Sequence, residues 1–253
     1  MKNMMFRSVI LVLAVAGWSV LLSGCSERNI DKKMAVAIAD AKQGKLTKAA
    51  AAAADIAART PSAAPLLLQA VIYEKQGDYD KSLDLARQCA AANPEDFSCV
   101  YTFGRLSSLD KMRRSEAFGI LENALKLNPG DRDTLVLLCN LGTMLSHPRT
   151  GVYLEQLRQK PEFATSGTLY YQYGMLRARE GQKNQAVLFL RHSVKNGGAS
   201  NPALILNVAR CMDHYNLSRK EAVNMYKFFL NHPARKKAAD IREAQRRIAQ
   251  LKP

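Results

Sequence analysis

The residues able to do chemistry are few and scattered. The chain carries five cysteines, Cys25, Cys89, Cys99, Cys139 and Cys211, and four histidines, His147, His192, His214 and His232. Thiols and imidazoles act as nucleophiles, acid–base groups or metal ligands when several converge, and local convergence needs short, regular spacings. No cysteine pair has metal-ligand spacing, no His-Glu-x-x-His is present, and neither a Gly-x-Ser-x-Gly elbow nor a glycine-rich phosphate loop occurs. The pattern points away from an enzyme, a bound metal or a cofactor and towards binding. Cys89 and Cys99 fall near the end of one expected helix and the start of the next. Both a disulfide across that turn and a pair of small buried thiols suit that placement.

Cys25 has a different setting. A short basic stretch with Lys2 and Arg7 leads into the apolar run Val9 to Leu22, interrupted only by Gly17 and Ser19. That is a signal-peptide pattern, too short for a comfortable membrane span. The next residues, Leu22-Ser23-Gly24-Cys25, resemble the bacterial lipobox, which implies removal of residues 1–24 and lipid attachment at Cys25. Acyl chains add about 0.8 kcal/mol per buried methylene, so a multiply acylated cysteine would hold the chain on a membrane. Ser26 stands where an aspartate would resemble an inner-membrane retention signal, which favours the periplasmic face of the outer membrane. Residues 25–30 are expected to be the lipidated cysteine and a short tether, keeping the folded part near the lipid.

The elements that follow are helical. Glycine and proline are sparse and alanine abundant over the 229 residues after the signal, which disfavours strand-rich folds. Loss of Lys2 and Arg7 lowers the net charge from +15 to +13, with 35 basic residues against 22 acidic. Between Leu217 and Pro253 ten Lys or Arg face three acids, over half of that excess.

The stretch Tyr73-Glu74-Lys75-Gln76-Gly77-Asp78-Tyr79, followed by Pro94, resembles the tetratricopeptide repeat. Glycine suits a left-handed turn between two helices, and a later proline stops the second helix. The same marks stand 33 residues earlier at Gly44 and Pro61, near the family's period of about 34. A third unit ends at Pro129 with a longer turn lacking glycine. A fourth runs from Thr134 to Leu145 and from Gly151 to Gln159. The fifth contains Gly174, Gly181 and Ala186, and the sixth Ala209 and Ala222. The small residues Ala49, Ala117, Ala186 and Ala222 let paired helices approach closely. An all-α solenoid of about six helix-turn-helix repeats is expected over residues 31–234, with residues 235–253 as a basic capping helix in which Ala238, Ile241, Ala244, Ile248 and Leu251 recur at helical spacing.

The resemblance implies a groove lined by the first helix of each repeat, where a protein or peptide partner binds. Matching the pattern places Leu67, Val71, Tyr101, Arg105, Asn140, Thr143, Tyr171, Met175, Asn207 and Arg210 along it. These side chains suit an extended segment or a chain terminus, although the same positions also serve packing between repeats. The carboxylate clamp of chaperone-binding members is not reproduced. A second candidate surface is the basic set Arg219, Lys220, Lys227, Arg235, Lys236, Lys237, Arg242, Arg246 and Arg247, either a site for anionic lipid or an acidic partner, or a solvated face. An exported chain with no nucleic-acid motif is not expected to bind nucleic acid.

These readings converge on a lipid-anchored scaffold for protein–protein interaction in the cell envelope. The plan is similar to that of type IV pilus pilotins and of the helical-repeat lipoprotein of the outer-membrane barrel-assembly machine, which implies an assembly role. The alternative is a regulator or localiser of a peptidoglycan synthase or hydrolase.

Overall fold

The computed structural model describes residues 26–59, 62–234 and 236–251. Cys25, the expected signal segment, Pro61 and Arg235 lie outside them. Among the described residues thirteen α-helices follow one another, with no strand. They are α1 (Ser26–Lys42), α2 (Leu46–Arg59), α3 (Ala63–Gln76), α4 (Tyr79–Ala92), α5 (Phe97–Ser107), α6 (Arg114–Leu127), α7 (Arg132–Leu145), α8 (Thr150–Arg158), α9 (Gly167–Arg179), α10 (Lys183–Lys195), α11 (Pro202–His214), α12 (Arg219–Asn231) and α13 (Ala238–Leu251). The expected array of six helix-turn-helix repeats closed by a terminal helix is the observed architecture. Residues 26–30, expected to form an extended tether, are the first turn of α1. No glycine or proline interrupts the chain from Ser26 to Lys42, so helix propagates to its start.

Five of the six turns share one device. The residue after the left-handed position donates its N–H to the carbonyl five residues back: Lys45 to Asp40, Asp78 to Tyr73, His147 to Gly142, Gln182 to Arg177 and Leu217 to Met212, each at 2.9 Å. This is the helix-ending bond that satisfies an orphan carbonyl, and it requires a positive φ at the residue between. Glycine supplies it at Gly44, Gly77 and Gly181, whereas Ser146 at φ 56° and Asn216 at φ 47° do so in the fourth and sixth turns. The third turn instead passes through a 3-10 turn at Lys111–Arg113, capped by Asp110, whose side chain accepts the Met112 N–H.

Close packing within each pair rests on two series of small residues. On the second helices, Ala49, Ser82, Ala117, Thr150, Ala186 and Ala222 are all fully buried. The first helices contribute Ala37, Ala70, Gly104, Cys139, Gly174 and Ala209, also buried. A β-carbon on Gly174 would lie 2.6 Å from Leu190 Cγ, and one on Gly104 would lie 2.9 Å from Leu121 Cγ. Only glycine permits these backbone approaches. Ser82 fits the series because its hydroxyl donates to the Ala70 carbonyl at 2.7 Å.

The chain divides into two compact units, residues up to 134 and residues 135 onwards. In the first, Ala37, Ala49, Ala53, Leu68 and Ile72 form one apolar cluster and Leu67, Cys89 and Cys99 another. In the second, Ala178, Leu190, Val208, Met212 and Ala222 form a core, continued by Ile205, Tyr226, Phe229 and Ala244. Ile248 and Leu251 of α13 pack on that last cluster, so the terminal helix covers the sixth pair. Ala238 stays exposed at the start of α13, outside the expected contact face. Burying one large aliphatic or aromatic side chain stabilises by about 1.5–3 kcal/mol, which sets the scale for this covering.

Cys89 and Cys99 are joined in a disulfide between α4 and α5, so the bridge is realised. Cys139 and Cys211 are free and buried, and burial pushes each thiol up to about 12, leaving them protonated and inert.

Candidate partner-binding surface

First helices lie beside one another within each unit: α3 touches both α1 and α5, and α9 touches α11. Their helical period leaves polar side chains along the resulting surface, and most of these are bonded to the neighbouring repeat. In the first unit, Arg105 on α5 donates to both Glu74 oxygens on α3, at 2.8 and 2.6 Å. In the second, Gln172 on α9 donates to Asn140 on α7. Arg179 donates to the Tyr215 hydroxyl at 3.0 Å. Arg210 on α11 reaches Glu243 at 2.8 Å and Asp240 at 3.1 Å on α13, and Arg247 on α13 returns two bonds of 2.6 Å to Asp213. Paired guanidinium and carboxylate groups of this kind fix register between helices.

This ladder changes the role of several residues expected in the groove. Leu67 and Val71 are 3% and 5% exposed and belong to the interior. Arg105 is 6% exposed and committed to Glu74, so it has no free donor fork for a ligand carboxylate. Thr143 is buried, its hydroxyl donating to the Cys139 carbonyl at 2.7 Å. For Leu67, packed with Cys89 and Cys99, and for Arg105, bonded to Glu74, a neighbouring helix covers a position that helical spacing alone would leave open.

The half-buried remainder is Tyr101 in the first unit, and Asn140, Tyr171, Met175, Asn207 and Arg210 in the second. Tyr101 stacks on Phe97 at 5.5 Å, and burial pushes its phenol up to about 12. Tyr171 and Met175 lean on the core cluster of α9–α12, and burial likewise holds the Tyr171 phenol at about 12. Neither tyrosine is a proton donor at neutral pH; each offers a ring and a neutral hydroxyl. Asn207 accepts a 3.5 Å bond from Arg210. The second unit therefore carries five of the expected residues on α7, α9 and α11, and Met144, 57% exposed, stands one helical turn after Asn140 on α7.

Sequence reasoning missed Glu74, Gln172, Tyr215, Asp240 and Glu243. A signal was present: Glu74 and Arg105, Arg210 and Glu243, and Asp213 and Arg247 are opposite charges separated by 31, 33 and 34 residues, about one repeat. Of the basic set, Arg219, Lys220, Lys227, Lys237, Arg242 and Arg246 are exposed. Lys236 is half-buried, donating to the His232 carbonyl and standing 5.9 Å from the Phe229 ring. Arg247 belongs to the ladder rather than to the open basic face, because the buried Asp213 carboxylate holds it. Among the described residues no three His, Cys, Asp or Glu side chains converge as a metal site, and no helix is long and apolar enough to cross a membrane.

Comparison with known proteins places the fold. A tetratricopeptide-repeat family model matches residues 63–96, the pair α3–α4. No curated protein matches the chain in sequence. Among solved structures, PilW, described as a widely conserved type IV pilus biogenesis factor, is similar with a TM-score of 0.63 at 15% identity, covering 85% of this chain and 98% of that one. PilF of Pseudomonas aeruginosa is similar with a TM-score of 0.60 at 15% identity, over 87% of this chain and 98% of its own. YrrB, described as a TPR protein with an unusual peptide-binding site, is similar with a TM-score of 0.58 at 16% identity, over 78% and 99%. Residues 63–96 are thus a tetratricopeptide repeat, and the chain is a protein of the tetratricopeptide-repeat fold.

Proposed function

We propose that this chain is a lipid-anchored tetratricopeptide scaffold of the bacterial cell envelope, attached through Cys25 and holding a partner protein during assembly of an outer-membrane or pilus complex. It acts by binding, not catalysis. The observation carrying this reading is a conjunction. The fold is similar over 98% of the length of PilW, described as a type IV pilus biogenesis factor, and Leu22-Ser23-Gly24-Cys25 follows a signal-peptide pattern. The partner surface is assigned to the first helices of the second unit, around Asn140, Met144, Tyr171 and Asn207.

In-cell crosslinking followed by membrane fractionation tests it. The wild-type chain should co-purify from outer membranes with a secretin or barrel protein. Met144→Glu combined with Asn207→Ala should reduce that recovery, and Cys25→Ala should release the chain from membranes. Recovery of a peptidoglycan synthase or hydrolase instead would favour the alternative role. Membrane retention of Cys25→Ala would sink the anchor.

A further inference from the structure

The second helices of the first unit, and α8 of the second, mix acid and base, whereas α10 and α12 are mainly basic. In the first unit each carries exposed acid: Asp55 on α2, Asp80 and Asp84 on α4, Glu116 on α6. In the second unit α10 contains no acidic residue and α12 contains one, Glu221. Glu221 is committed to Arg191 of α10, which donates from Nε at 2.9 Å and again through Nη2. That bidentate pair joins α10 to α12 and leaves the remaining cations there without an acid of their own.

Helical spacing puts Asn184, Leu188, Arg191 and Lys195 on one face of α10, and Lys220, Asn224, Lys227 and Phe228 on one face of α12. All eight are exposed. Two are large and apolar: Leu188 at 51% and Phe228 at 39% exposure. A face that serves solubility alone gains nothing from an open leucine and phenylalanine set between cations. The free cations along it are mainly lysines, compact charges on flexible stems that suit mobile headgroups more than a fixed bidentate partner. Cations flanking aromatic and aliphatic side chains, with acids neutralised, form the pattern of a surface that meets an anionic lipid interface.

We infer that the α10–α12 face, through Lys195, Lys220 and Lys227 with Leu188 and Phe228, docks on anionic phospholipid headgroups. This is a second membrane contact, independent of Cys25 and of the surface on the first helices. The full-length chain, reconstituted in vesicles of phosphatidylcholine alone or mixed with phosphatidylglycerol, is treated with a lysine-acylating reagent and read by peptide mass spectrometry. On anionic vesicles the labelling of Lys195, Lys220 and Lys227 should fall roughly fivefold and recover in high salt, because headgroup attraction is screened within a Debye length. Lys81 and Lys126, in the first unit, should label alike on both. Lys220→Glu with Lys227→Glu alters only exposed positions and should abolish the protection of Lys195 while the helical circular dichroism is kept. Equal labelling on the two vesicle types overturns the inference. Protection by polyglutamate but not by phosphatidylglycerol also overturns it, and would mark a face for an acidic protein.

Discussion

Arg105 on α5 and Glu74 on α3 form a two-bond ion pair between consecutive repeats, with the arginine side chain 7% and the carboxylate 26% exposed. Removing either partner strands a mostly buried charge. Arg105→Ala should lower the unfolding free energy by about 2 kcal/mol, reduced from the fully buried case by the partial exposure of Glu74. In urea titrations the double variant with Glu74→Gln should cost less than the two single changes added together; strict additivity would show that the pair is not coupled.

Gly174 and Gly119 are both helical, with opposite surroundings. A β-carbon at Gly174 meets Leu190 at 2.6 Å, whereas nothing lies within 4 Å of one at Gly119. Gly174→Ala should destabilise by about 1–3 kcal/mol through overpacking. Gly119→Ala should stabilise by roughly 0.5–1 kcal/mol through helix propensity. Thermal melts with the same sign for both would contradict the close approach of α9 to α10.

The recurring turn bond allows a reciprocal exchange. Gly77 holds φ 83° and Ser146 holds φ 56° at equivalent positions. Relieving the left-handed strain at Ser146→Gly should raise stability by about 0.5 kcal/mol, and imposing it at Gly77→Ala should lower stability by about 1 kcal/mol. Chemical denaturation of the two variants checks the pair.

The hydrogen bonds from Arg210 hold the Glu243 carboxyl below the usual carboxylate range, against the opposing effect of its partial burial. A depressed folded-state pKa gives stability that is fully present above the unfolded value of about 4.3 and is lost as pH falls through the folded value. Attachment of α13 should therefore weaken in acid below that value. The hydrogen-exchange protection of residues 238–251, taken relative to the intrinsic rate at each pH, should fall in acid in the wild type and show a flatter acid dependence in Glu243→Gln. An unchanged acid profile in that variant would remove Glu243 from the account.

The cysteines should separate by chemistry. Cys139 and Cys211, protonated and buried, should resist maleimide at pH 8 until the chain is unfolded. Cys89 and Cys99, equally buried, should react only when the chain is both unfolded and reduced. The bridge spans a sequence separation of 10, and in the loop-entropy picture Cys99→Ser costs up to about 3 kcal/mol. Labelling of Cys89 and Cys99 in the unfolded, unreduced chain would exclude the disulfide.

Much of the fold was legible because local chemistry repeats with the chain. Gly44, Gly77 and Gly181 announce left-handed turns that glycine occupies at little cost, and Ala49, Ala117, Ala186 and Ala222 announce close helix contacts. Ser146 and Asn216 occupy the same turn conformation without announcing it, since serine and asparagine have many other uses. Ser82 and Thr150 take the place of alanine only because a neighbouring carbonyl accepts their hydroxyl, Ala70 for Ser82 and His147 for Thr150. The sequence by itself determined that the chain forms helical pairs of this family's pattern, because turn conformation and helical period are local properties. Tertiary structure alone decided which first-helix residues remain open. Leu67 and Arg105 have the spacing of surface residues, but neighbouring helices bury one and supply Glu74 to the other. Exposure depends on what a neighbouring repeat brings, and that is a property of the assembled array, not of any one helix.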